Sequence, residues 1–144
     1  MKNLEIFCEY IEDAFQELES CKYNLTIKYP EWLIPDDLIH AVNKSVEGWM
    51  ILNNITPKWG KGKSSLLFQL SEIGEKEIFQ KLSYIISEAT FLGIELEDSD
   101  SLFYQSRGED WTLDKWKTKV KKLVEEVEKF VEFLKEKGVK YQQY

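Results

Sequence analysis

The sequence predicts a mainly α fold, a four-helix bundle-like single domain over residues 1–144, and three observations carry that prediction. Apolar residues recur at steps of three and four over four long segments, no repeat or linker separates them, and hydrophobic residues make up 43% of the 144, enough for one core. Alternating segments leave room for two or three short strands, around 23–29, 65–71 and 102–106, at one end of the bundle.

The first segment places Leu4, Phe7, Cys8, Ile11, Ala14, Phe15, Leu18 and Cys21 on one face, with Glu5, Glu9, Glu12, Asp13, Glu17 and Glu19 between them. That pattern is an amphipathic helix. Tyr23, Leu25, Ile27 and Tyr29 then alternate with Asn24, Thr26 and Lys28 before Pro30, as a short strand would. Pro35-Asp36-Asp37 suits a helix start, because proline needs no partner there and the two acids complement the positive helix end. A second helix is expected over about 35–53, with Leu38, Ile39, Val42, Val46, Trp49 and Met50 inward.

Asn53 to Lys63, with Pro57, Gly60 and Gly62, reads as a loop. Residues 64–73 suit a strand or a helix equally, since Leu66, Phe68 and Leu70 alternate but also begin a helical period. A third long helix is expected over about 75–92, through Ile78, Phe79, Leu82, Ile85, Ile86, Ala89 and Leu92, with Gly93 as its left-handed cap. The connection 94–111 is acidic but carries Leu102, Phe103 and Tyr104, so it is expected to lie against the core. The last helix starts near Thr112 and repeats Leu113, Trp116, Val120, Leu123, Val127, Phe130 and Leu134, with Gly138 just past its end. This seam fits a bundle interior; it also fits a homodimer, so both monomer and homodimer stay open.

Charge narrows the function classes. With 26 acidic and 19 basic residues the net charge is −7, and Arg107 is the one arginine. Duplex nucleic acid is therefore disfavoured, because phosphate binding needs a positive face and base readout leans on arginine. A charged partner is expected to be a basic protein. No apolar stretch is long enough for a membrane span and acids interrupt the N-terminus where a signal peptide needs an apolar run, so a cytoplasmic location is expected. Cys8 and Cys21 share one helix, roughly 20 Å apart at its rise per residue, so they cannot pair there; both are expected to be buried thiols.

No catalytic residue, metal site or cofactor emerges. Gly62-Lys63-Ser64 ends like a phosphate-binding P-loop, but Pro57 stands where the motif needs glycine and no buried strand precedes it. A single histidine, His40, rules out zinc and di-iron sites that need two, and it falls on the polar side of helix two. The Arg-x-x-x-x-His motif of helical ribonucleases is absent, because Thr112 stands five residues after Arg107. Glu9, Glu12 and Asp13 cluster on helix one as wet-side acids.

The last helix is charged against its own dipole, with Lys115, Lys117, Lys119, Lys121 and Lys122 early and Glu125, Glu126, Glu128 and Glu132 later. Acids of helix one or of the 94–110 connection lying opposite those lysines would account for it. An anionic partner, with Trp111 and Trp116 as anchors, is the functional alternative.

The expected function is a non-enzymatic protein-binding module, a small acidic inhibitor of the immunity or antitoxin kind that blocks a partner protein. Aromatic residues in loops (Trp32, Trp59, Tyr104, Trp111) support it, and the expected contact residues are Asp98, Asp100, Tyr104, Glu109, Asp110 and Trp111. The alternative is a regulatory domain that binds a nucleotide or single-stranded nucleic acid through Lys58, Trp59, Lys61, Lys63, Lys115 and Lys119.

Overall fold

The computed structural model describes residues 2–27, 33–58, 65–97 and 112–142, which form five helices and no strand. In chain order these are α1 (Lys2–Asn24), α2 (Leu33–Leu52), α3 (Leu66–Glu72), α4 (Lys76–Glu97) and α5 (Leu113–Gln142). The mainly α, bundle-like prediction therefore holds. The alternating segment at 23–29 is not a strand where it is described: Tyr23 and Asn24 close α1, and Leu25 and Thr26 turn back onto it through hydrogen bonds from Leu25 N–H to Cys21 O and from Thr26 N–H to Tyr23 O. Residues 66–72 resolve as α3, capped by the Ser65 hydroxyl, which accepts from Phe68 N–H at 3.1 Å. The third strand segment, 102–106, lies outside the described residues.

Helix ends follow backbone rules that sequence period does not carry. α2 starts at Leu33, two residues before Pro35, which still falls in the first turn. It ends in a Schellman motif: Asn54 takes the left-handed conformation (φ 60°), Ile55 N–H reaches Met50 O at 2.8 Å, and Asn54 N–H reaches Ile51 O. α3 ends the same way at Gly74 (φ 79°), where glycine avoids the left-handed penalty. Gly93, expected to be such a cap, lies inside α4, which runs on to Glu97; residues 94–97 are helical and not loop. Gly138 likewise sits inside α5, which continues to Gln142. Thr112 caps α5, its hydroxyl accepting from Lys115 N–H at 3.2 Å.

Directions follow from cross-helix pairs. Glu17 meets His40, Asp13 meets Lys44 and Tyr10 meets Gly48, so α1 and α2 are antiparallel. Lys22 with Glu128 and Phe7 with Gly138 set α1 antiparallel to α5, and Lys81 over Phe133 with Lys119 on Glu95 does the same for α4 and α5. The bundle thus runs up, down, up, down, with α3 in the crossover. α2 touches every other helix, whereas α1 and α4 do not meet. Its buried residues include Ile34, Leu38, Ala41, Val42, Val46, Trp49, Met50 and Leu52, which explains why α2 is the most apolar of the four long helices. The α5 seam expected from its 3,4 spacing is buried inside this bundle, from Trp116 to Leu134. Trp116 donates its indole N–H to Leu92 O at 2.8 Å, fastening α5 to α4.

Two helical glycines set the closest approaches. A Cβ on Gly48 would fall 2.6 Å from Tyr10 Cβ, and one on Gly138 would fall 2.5 Å from Phe7 Cε2 and 3.1 Å from Leu52 Cδ2. At Gly48 the crowding atoms are the Tyr10 Cβ and Cγ, whereas at Gly138 it is the buried Phe7 ring itself. Gly93 has open space where a Cβ would go. Replacing Gly48 or Gly138 with alanine is therefore expected to destabilise the fold by about 1–3 kcal/mol through overpacking. Gly93→Ala is expected to stabilise it by about 0.5–1 kcal/mol through helix propensity. Thermal unfolding of the three variants checks the opposite signs.

Candidate functional site

Two sides of α1 carry features that packing alone does not require. Toward α2 lies a seam of ionisable groups. His40 Nδ1 and Glu17 Oε1 are 2.6 Å apart, and Lys44 Nζ lies 3.4 Å from Asp13 Oδ2. The other Glu17 oxygen, Oε2, is buried without a hydrogen-bond partner among the described residues. Cys21 is fully buried on this side, and burial pushes its thiol up to about 12, with Asp37 and Glu17 adding to the rise. Burial likewise raises the Asp37 carboxyl, with Glu17 and Asp36 adding to the rise and His40 opposing it. Glu47, one helical turn beyond Lys44, is only 2% exposed, and burial pushes its carboxyl up to about 7 against the opposing pull of His40 and Lys44.

This chemistry is not nucleophilic. A cysteine whose proton is held so firmly is a packing group, and His40 is directed to a carboxylate, with 62% of its own side chain exposed. No grouping of three or more histidines, cysteines or acids able to hold a metal ion occurs among the described residues.

Toward α5 lies a groove of about 540 Å³, lined by Phe7, Cys8, Ile11, Glu12, Phe15, Gln16, Glu19 and Lys135. Its surface is mostly apolar, with Phe7 and Ile11 at the bottom and Lys135 over the Phe15 ring at 5.9 Å. Cys8, expected to be buried, is exposed here, because it sits at the edge of the apolar face where no helix among the described residues covers α1.

Residues picked from sequence meet the structure unevenly. Asp98, Asp100, Tyr104, Glu109, Asp110 and Trp111 lie outside the described residues, as do Trp59, Lys61 and Lys63. Lys58 is exposed, and its backbone N–H is held by the Gln69 side chain at 2.7 Å. Lys119 is committed to Glu95 at 2.8 Å, an acid whose side chain is only 3% exposed. That pair accounts for one of the α5 lysines placed against the helix dipole, with the acid supplied by α4. Lys115 begins α5 beside its cap.

The groove and Glu47 both escaped the sequence reading. A signal for the first existed: the α1 apolar face, from Cys21 round to Cys8 and Phe15, is wider than one neighbouring helix covers. For Glu47 the signal was the run from Val46 to Leu52, apolar almost all round the helix. Comparison with protein-family models, curated proteins and solved structures finds no match to this chain. No helix among the described residues is long and apolar enough to cross a membrane.

Alkylation of the native protein is expected to modify Cys8 quickly and Cys21 only after unfolding, which mass spectrometry of the labelled peptides checks. The Glu47 carboxyl carries a sign for pH. Its folded pKa lies above the ordinary value of 4.5, so the native state holds a proton that the unfolded chain releases. Its contribution is complete below the unfolded value and is lost as pH rises through about 7. Urea unfolding of Glu47→Gln is expected to match the wild type near about pH 4 and to exceed it by about 2 kcal/mol or more near about pH 8.

Proposed function

We propose that the protein is a non-enzymatic binding module, an acidic inhibitor of the immunity or antitoxin kind that occupies the surface of a basic partner protein. The observation that carries this reading is the set of exposed acids on α1, where Glu5, Glu9 and Glu12 enter no ion pair among the described residues, above a net charge of −7. Folding does not require them there, since the wet face of an amphipathic helix needs polarity and not one sign of charge. In the α1–α2 seam burial keeps the Cys21 thiol protonated, and Glu17 and Asp13 pair with His40 and Lys44.

Exposed Tyr84, Phe91 and Ile94 follow one another along α4, and such apolar groups at a surface suit a protein interface. Capture with the tagged full chain from its native host is expected to retain one stoichiometric basic protein, released by raised salt. Reversal of Glu5, Glu9 and Glu12 to lysine is expected to slow association about tenfold at low salt. A column that retains nothing, or an unchanged association rate, would sink the reading.

A further inference from the structure

We propose that the groove between α1 and the second half of α5 is a docking site for a basic amphipathic helix of a partner protein. This rests on the protein-binding reading above and names the surface and the chemistry of what fills it.

The floor has the geometry that a helix packs against. Phe7, Ile11 and Phe15 follow one another four residues apart on α1 as a recessed ridge, the first two almost fully buried and Phe15 half-buried, while Cys8, Glu12 and Gln16 form an exposed ridge beside it. The channel between two such ridges accepts side chains spaced i, i+4 and i+7 on a second helix. At about 540 Å³ it holds a few large apolar side chains. The described residues contain no strand, so they offer no sheet edge to which an extended peptide could add.

The rim selects charge. Glu12 and Glu19 line the groove, Glu5 and Glu9 stand exposed on the same helix, and Glu132 is exposed one turn before Lys135 on α5. Among the lining residues Lys135 is the one cation, and it is exposed. Lys22 is held by Glu128 and Glu19, which keep its ammonium above the usual lysine value, and Lys135 lies over the Phe15 ring. Acids thus outnumber cations around the groove, which is complementary to leucine-like anchors flanked by lysine or arginine. The same acids oppose the other occupants. A fatty carboxylate brings negative charge to a negative rim, and a second copy on a two-fold axis sets this acidic face against itself.

Cys8 in the groove is exposed and Cys21 is buried, so the native chain reports on its own occupancy. The probe is a synthetic helix of roughly 18 residues, with leucine on one face and lysine on the other. It is compared with a scrambled peptide of the same composition and with a glutamate-for-lysine version.

The amphipathic basic peptide is expected to slow alkylation of Cys8 about tenfold at saturation, with the effect lost in raised salt. The doubly reversed variant Glu12→Lys/Glu19→Lys, altered only at exposed positions and checked for unchanged thermal unfolding, is expected to lose that protection. The two control peptides are expected to leave the alkylation rate unchanged.

An unprotected Cys8, or equal protection by the scrambled peptide or in the reversed variant, overturns the proposal. So does protection by decanoate in place of the peptide, which assigns the groove to a small apolar ligand. Protection that grows with the protein's own concentration overturns it in favour of self-association. A partner captured from the host that binds Cys8-alkylated protein undiminished overturns the groove and leaves the protein-binding reading standing. A column that retains nothing while the peptide protects Cys8 removes that reading and leaves the groove.

Discussion

The bundle turns on the Phe7 ring, which is fully buried between two glycines of two other helices. Its far edge lies against Gly138 of α5, with Leu52 closing the space, and its Cδ1 faces Gly48 of α2, where Tyr10 makes the closer approach. Both glycines sit inside helices, where each costs about 1 kcal/mol relative to alanine. The cost is offset by contact, because the missing Cβ at Gly48 admits Tyr10 and the missing Cβ at Gly138 admits the Phe7 ring. The antiparallel register of α1 with α2 and with α5 follows from where that ring is held, and the pairs Glu17–His40, Asp13–Lys44 and Lys22–Glu128 extend the same register outward.

Because Phe7 anchors one edge of α1 to both neighbours, the two remaining edges differ. The edge toward α2 is covered and collects ionisable groups whose charged forms burial disfavours, as Cys21, Asp37 and Glu47 show. The edge beyond α5 is left open and keeps Cys8 and Phe15 beside water. One amphipathic helix thus presents a closed polar seam on one side and an open apolar groove on the other.

At the far end of the bundle, the Lys119–Glu95 pair and the Trp116 indole bond to Leu92 join α4 to the start of α5. A buried carboxylate is tolerated there because a cation reaches it from the next helix; one of its oxygens still has no partner among the described residues. This arrangement places a lysine near the positive end of α5 at little cost, since the neighbouring acid compensates for the unfavourable dipole.

The helices themselves were legible in the sequence. Apolar spacing located α1, α2, α4 and α5, because a stripe at a period of 3.6 residues is a local property that any neighbour would bury. Thr112 as the start of α5 was legible for the same local reason. Termini and roles were not. Gly93 and Gly138 look like caps in sequence, yet both lie within helices, and the left-handed ends fall at Asn54 and Gly74. A glycine serves as a cap or as a close contact according to which helix lies opposite, and sequence period does not record that. The same holds for Cys8 against Cys21, identical in pattern and opposite in exposure, and for Glu47, whose raised pKa exists only because α2 is enclosed. The sequence by itself determined which stretches would be helical and which stripe each would bury, whereas the tertiary structure decided what those stripes meet, because burial is a property of pairs of helices.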